Sequence, residues 1–262
     1  MNPRQLRTSV DWFHSYVETF SVDGAMPAPL RLKVEHSQWV AHNARQLAED
    51  LEWSTEQTNC AEALGWLHDV GRFSQFAEFE TFSDAHSINH GERGWEIVRE
   101  NRIFSALAPD DQDTLLDGIR NHNLKIVPDG LGVRSLRFTK LIRDADKLDI
   151  YRVVLDSIHR DGFQELPSML PQIDLQGPVN AQVVHEIVEH RYCSLENVYS
   201  LSDFLLMLLS WIHDLNYEAS FRQIVDRNII GELGQLLPED RLCKNVVHAI
   251  RRFTKSKLAA PA

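Results

Sequence analysis

Ser54-Thr55-Glu56-Gln57-Thr58-Asn59-Cys60-Ala61-Glu62-Ala63-Leu64-Gly65-Trp66-Leu67-His68-Asp69-Val70-Gly71-Arg72 sets the reading of the whole chain. Ser54 with Gln57 three residues on has the spacing of a capping box, in which each side chain satisfies the other's backbone N–H. The segment predicts a helix that opens at Ser54 and ends at His68-Asp69, with Gly71 as its stop. A His-Asp pair at a helix end turns two polar side chains toward a cleft while the helix body stays packed. The dipeptide alone means little, so its surroundings have to carry the weight.

Outward from this stretch, apolar residues recur at helical spacing and strand-like alternation is scarce, which predicts an all-α fold. A first helix is expected near Pro3 to Phe20, ended by Asp23-Gly24-Ala25-Met26-Pro27, and a second from about Leu30 to Leu51. A loop of Phe, Ser and acidic residues follows the His-Asp pair. Further helices are expected from Ile88 to Arg99, from Ala108-Pro109-Asp110-Asp111 to His122, and from about Ser135 through Asp146 to His159. Pro128-Asp129-Gly130-Leu131-Gly132 reads as a turn between the last two. Pro167, Pro171 and Gly177-Pro178 make 162–178 the least regular stretch and the best boundary. The division is therefore 1–161, a helical core with its N-terminal helix, and 162–262, a C-terminal helical extension expected to pack on the same core. Within the extension, helices are predicted near Val179 to His190, Leu201 to Tyr217, Glu218 to Asn228 and Pro238 to Thr254.

The 262 residues are 43% hydrophobic and 25% charged, ordinary globular usage that argues against long disorder. The longest apolar run, Phe204 to Leu209 with Trp211 and Ile212, falls far short of the roughly 20 residues that span a bilayer. It reads as core or as a buried homodimer surface. No apolar segment follows the basic residues of Met1 to Arg7, so no secretory leader is expected and the cytoplasm is the expected compartment. Cys60, Cys193 and Cys243 are few and widely spaced, which reads as reduced core thiols. A net charge of −11 opposes a nucleic-acid backbone. Arg251, Arg252, Lys255 and Lys257 form only the basic bias of a helix C-terminus.

Order and spacing raise the His68-Asp69 signal. His36 stands upstream, His90 and His122 downstream, and Asp146-Lys147-Leu148-Asp149 closes the series. Imidazole and carboxylate together suit Mn, Fe, Co, Ni or Zn, and the absence of nearby Cys disfavours a structural thiolate zinc site. Other candidates read as ordinary structure. His86 falls in a loop, and His185, Glu189 and His190 form a solvated helix face. A second pair, His213-Asp214, has only His248 beyond it and no comparable Asp.

The ordered set resembles the HD-domain superfamily of metal-dependent phosphohydrolases, over roughly Leu30 to Asp161. Carried over residue by residue, the resemblance implies that His36, His68, Asp69 and Asp146 bind one divalent metal. His90 and His122 occupy the places of the histidines that bind a second, with Asp69 bridging the two. Arg72 matches a position where the superfamily often has Lys or Arg, and a guanidinium there can donate to a phosphate. The implied cofactor is a divalent metal, two ions, with Mn, Fe, Co, Ni, Mg and Zn undistinguished. The implied reaction is hydrolysis of a phosphate ester, in a nucleotide or other small phosphorylated metabolite, by a metal-bridging hydroxide of lowered pKa.

Departures narrow the substrate. Asn123 after His122, and Leu32 one turn before the first histidine, depart from the branch that cleaves cyclic dinucleotides, which has a His-His pair, a Gly-Tyr-Pro element and a Glu there. Nothing resembles the synthetase half of the branch acting on guanosine tetraphosphate. Two alternatives stand beside hydrolysis: a non-catalytic HD module that senses a nucleotide or docks a partner, and a di-iron HD-type oxygenase.

Overall fold

The computed structural model describes residues 1–170 and 172–259, so Pro171 of the expected boundary lies outside the described residues. The fold is all-α. Among the described residues the only β pairing is two isolated bridges, Val22 with Ala25 and Asp174 with Ser200. No helix there is long and apolar enough to cross a membrane.

The backbone forms two compact units, Met1–Asp149 and Ile150–Ala262. Their division falls inside a helix, ahead of the irregular stretch where composition placed it. Loop composition marks where a chain leaves a helix, and it is silent on where packing changes along an unbroken one.

The first unit begins with α1 (Pro3–Glu18), α2 (Ala28–Asp50) and α3 (Thr55–Leu67). Asn2 and Ser54 each form a reciprocal capping box with the glutamine three residues on, Gln5 and Gln57, which fixes where α1 and α3 start. The α2 and α3 helices run along each other at very short range. A Cβ on Gly65 would stand 2.3 Å from Ala41 Cα, so only glycine permits this approach. Across this seam Val40, Ala44, Leu47, Leu64 and Leu67 are all buried. Burial of each leucine contributes on the order of 1.5–3 kcal/mol.

Two differences from expectation follow His68-Asp69. The first is α4 (Gly71–Phe79), which stands where a loop was predicted. Gly71 does not stop a helix; a Cβ there would lie 2.2 Å from His90 O, so it admits the next helix. The second is the end of α4, made by Glu80 in the left-handed region at φ 52°, a position that spacing does not reveal. A single 3₁₀ turn, Asp84–His86, then leads into α5 (His90–Glu100), capped by Asn89. α6 (Pro109–Asn121) and α7 (Val133–Asp161) complete the sequence of long helices. Phe13 of α1 meets Trp66 and Phe73 with ring centroids 5.3 and 5.9 Å apart, a contact that packs the chain on either side of His68-Asp69.

The second unit contains α8 (Leu166–Met169), α9 (Ala181–His190), α10 (Leu201–Ser210), α11 (Glu218–Asp226), α12 (Ile229–Gln235) and α13 (Arg241–Leu258). The predicted Leu201–Tyr217 helix is broken: α10 gives way to a 3₁₀ turn at Trp211–Asp214. The short α12 was not anticipated, because two glycines, Gly231 and Gly234, weaken its pattern. The apolar run Phe204 to Leu209 is buried throughout, so in this chain it is core. Ser200 caps α10, and Asp203 closes its capping box and accepts the N–H groups of Asn180, Tyr199 and Ser200.

Candidate metal centre

Six residues from five places in the chain converge in the first unit. His36 comes from the middle of α2, His68 from the end of α3 and Asp69 from the following turn. His90 opens α5, His122 closes α6, and Asp146 sits within α7. Helix ends supply His68, His90 and His122, where a side chain can leave the packed ladder without a break in the helix.

Asp69 is the hub, and its two oxygens serve different partners. Oδ2 lies 3.7 Å from His36 Nε2 and 3.7 Å from His68 Nε2. Oδ1 lies 3.4 Å from His90 Nε2 and 3.5 Å from His122 Nε2. Asp146 Oδ1 joins the first group, 3.1 Å from His36 Nε2 and 3.9 Å from His68 Nε2. Two sets of side chains are thus spaced to hold an ion: His36, His68 and Asp69, and Asp69, His90 and His122.

The inward nitrogens are all Nε2, because each Nδ1 is engaged from outside. His68 Nδ1 donates to Gly65 O and His122 Nδ1 to Ile119 O, each at 2.7 Å. A carbonyl can only accept, so Nδ1 carries a proton in both rings, and in the neutral form of each the bare nitrogen is Nε2. His36 Nδ1 meets Asp149 Oδ2 at 2.7 Å, and His90 Nδ1 meets both oxygens of Asp84 at 2.7 and 2.8 Å. An outer acceptor that fixes the tautomer and orientation of an imidazole is the usual setting of a metal-binding histidine.

The donor set fits a divalent cation on further grounds. The Nε2 atoms of His36 and His68 are buried without a hydrogen bond of good geometry, Asp146 Oδ1 standing 3.1 Å from the first. Such unpartnered buried nitrogens are unfavourable unless something fills the space between them. His90 Nε2 and His122 Nε2 face each other at 3.1 Å. For metal–nitrogen bonds of about 2.0–2.1 Å, neighbouring ligand atoms stand roughly 3.0–3.4 Å apart.

Electrostatics sort the histidines. Burial drives His68 down to about 3, and burial with the nearby Arg72 charge drives His90 down to about 4, so both are neutral at pH 7. His36 is opposite in sign. Burial and Lys33 oppose its charged form, but Asp146 and Asp149 outweigh them and raise it to about 9. Burial alone would raise the Asp69 carboxyl; Lys33, His68, His122 and Arg72 overcome it and hold the group well below its ordinary value. Asp146 is likewise held low, burial being outweighed by His36 and His68.

Two cations approach Asp69, and only one was anticipated. Lys33 Nζ lies 2.8 Å from Oδ2, and its side chain is 21% exposed. It sits three residues before His36 on the same face of α2, a spacing from which it could have been found. Arg72, the expected phosphate contact, has its Nη1 engaged by the neighbouring loop. Its Nη1 donates to Asp84 Oδ1, Gln75 Oε1 and Phe82 O, while Nε lies 3.7 Å from Asp69 Oδ1 with no hydrogen-bond partner. Asp84 and Asn123, whose Nδ2 donates to Asp84, also belong to the surroundings of His90.

The remaining candidates make other contacts. His86 Nδ1 pairs with Ser83 Oγ at 2.8 Å. In the second unit His213 packs on Phe253 with ring centroids 4.3 Å apart, and His185 and His190 lie 6.5 Å apart along α9.

The family model of the HD domain matches residues 34–152, a span that includes all six converging side chains. Residues 34–152 are thus similar to the HD domain, a domain that binds divalent metals and whose superfamily members are mostly hydrolases. No curated protein and no solved structure matches the chain.

Proposed function

We propose that the chain is a metal-dependent phosphohydrolase acting on a phosphate ester of a nucleotide or other small phosphorylated metabolite. The observation that carries this is the division of Asp69, one carboxylate oxygen toward His36 and His68 and the other toward His90 and His122. In this reading His36, His68, Asp69 and Asp146 hold one divalent ion, and Asp69, His90 and His122 a second. A pair of such ions polarises phosphoryl oxygens and makes bound water a nucleophile near neutral pH.

The protein's own groups do the rest. His68 and Asp69, almost wholly buried, keep bulk water from the inner face, so charges there interact strongly. Lys33 and Asp146 are the more open members of the cluster, each about one-fifth exposed, and they mark the side from which a substrate enters. Lys33 has ammonium hydrogens beyond the one given to Asp69, and these meet a phosphate oxygen. Arg72, bound to Asp84 and Phe82 O, steadies the adjoining loop and lends long-range positive charge.

The test is to strip the protein of metal, reload it anaerobically with Mn, Fe, Co, Ni, Mg or Zn, and assay phosphate release from a panel of nucleotides and phosphorylated metabolites. Metal-dependent release that is lost in Asp69→Ala is expected. Oxygen consumption with iron and no phosphate release would replace hydrolysis by oxidation, and tight nucleotide binding without turnover would make the domain a sensor.

A further inference from the structure

The four imidazoles are backed in two different ways, and the difference is unequal between the sets. His68 and His122 lean on carbonyls of their own helices, Gly65 O and Ile119 O, which no side-chain change removes. His36 leans on Asp149, fully buried on α7 one turn beyond Asp146. His90 leans on Asp84, which belongs to the short loop between α4 and α5 and is 32% exposed. Of the two carboxylates behind the cluster, only Asp84 rests on a loop.

Asp84 is nonetheless built in. Its oxygens accept from His90 Nδ1 at 2.7 and 2.8 Å, from Asn123 Nδ2 at 3.0 Å, from Arg72 Nη1 at 3.0 Å and from Gln75 Nε2 at 2.9 Å. These donors come from distinct parts of the centre. Arg72 and Gln75 follow Asp69 in α4, and Asn123 follows His122. Gln75 also donates to Ser87 Oγ and Ile88 O, which fastens the rest of the loop. One loop carboxylate therefore ties His90 to the segments that carry Asp69 and His122.

The consequence lies in the tautomer. With Asp84 present, the His90 proton is held on Nδ1 and Nε2 is a bare acceptor facing His122 Nε2 at 3.1 Å. With no acceptor behind Nδ1, the same proton is better placed on Nε2, from where it donates to the bare Nε2 of His122. The two rings then satisfy each other, and both nitrogens are lost to any third partner. We propose that Asp84 is the positioning residue of His90, and that through it the 80–89 loop controls the Asp69–His90–His122 set without affecting the His36–His68–Asp69–Asp146 set. The part concerning ions rests on the reading of both sets as metal-holding; the part concerning the tautomer does not.

The experiment has two arms on the full chain. In the metal-stripped protein, histidine imidazole ¹⁵N shifts report the tautomer. His90 is expected as the Nδ1–H form in the wild type, as the Nε2–H form in Asp84→Ala, and restored in Asp84→Glu. Calorimetric titration of Co(II) then reads the sets separately. Two binding events are expected in the wild type, with the weaker weakened further by about 10–100-fold in Asp84→Ala and the tighter one unmoved. His86→Ala, a change in the same loop that leaves Asp84 in place, should behave as wild type. An unchanged His90 tautomer in Asp84→Ala overturns the proposal. So does equal weakening of both events, which would mean a general loss of structure. A wild type that binds no Co(II), or a single ion, would overturn the metal reading while the tautomer arm still stands or falls by itself.

Discussion

Lys33 Nζ lies 2.8 Å from Asp69 Oδ2, so a side-chain ammonium from α2 neutralises the carboxylate on which both imidazole pairs converge. Placed among groups that would hold cations, this charge opposes metal binding and favours an anionic substrate. The two effects separate in a neutral isostere of similar length. Lys33→Met should keep or strengthen metal affinity while kcat/KM for the best phosphorylated substrate falls on the order of 10²-fold. Lys33→Arg should recover part of the loss. Weaker metal binding in Lys33→Met, with an unchanged KM, would make Lys33 a support for Asp69 alone.

Asp69→Ala should abolish turnover and sharply reduce metal content while leaving the helical fold intact, because Asp69 joins the two sets but fills no apolar core. Metal analysis, circular dichroism and activity on one preparation decide it. The doubled variant His213→Ala with Asp214→Ala is the counterpart, since His213 packs on Phe253 in the other unit. Its metal content should equal that of the wild type; loss of an ion there would reveal a separate site.

Much of this centre is visible in the sequence because its residues sit at helix ends and on apolar-periodic helices, where order and spacing are informative. His68, His90 and His122 are of this kind, and the structure brings them together with His36, Asp69 and Asp146. What spacing could not give is which charged group meets which. Arg72 stands one turn after Asp69, as a phosphate contact would, yet its Nη1 turns to Asp84 and Phe82 O. Asp84 lies in a loop with no periodicity to orient it, so neither its contact with His90 nor its hold on Arg72 was legible. Gly71 misled for a related reason. A glycine after a helix reads as a stop, but here it serves the approach of His90 O, a tertiary demand that local sequence does not state. Lys33, one turn before His36 on the same face of α2, is legible from spacing alone.

Gly65→Ala should test the seam that sets His36 against His68. The added methyl would stand 2.3 Å from Ala41 Cα, and the neighbouring atoms are backbone that cannot swing aside. Overpacking of this kind typically destabilises by about 1–3 kcal/mol. Thermal melts should show it, along with weaker metal binding, because His68 Nδ1 also donates to Gly65 O. A stability equal to wild type would mean that α2 and α3 separate without consequence.

Metal uptake should depend on pH through His36. Its imidazolium is favoured by Asp146 and Asp149 and persists up to about pH 9 in the metal-free protein, whereas His68 and His90 are already neutral at pH 7. An ion that takes Nε2 of His36 must displace that proton. Raised above its ordinary value, the group makes the proton the stronger competitor at lower pH, so apparent affinity should climb about tenfold per unit from pH 7 and level off near pH 9. Titrations of the tighter ion in buffers of different protonation enthalpy should show about one proton released at pH 7. A flat affinity across this range would mean that His36 is neutral before the ion arrives.

The number of ions is decided by His90 and His122. His36, His68, Asp69 and Asp146 form a complete set for one cation, and the second rests on two nitrogens that face each other at 3.1 Å beside Asp69 Oδ1. If both are ligands, the wild type saturated anaerobically should approach two ions per chain. His90→Ala and His122→Ala should each retain about one and lose most activity, because one ion can still bind phosphate but cannot share the activation of water. The four-residue set does not use either nitrogen, so the affinity of the retained ion should be little changed. A firm value of one ion in the wild type, unaltered by either substitution, would make the centre mononuclear, with His90 and His122 serving substrate or each other.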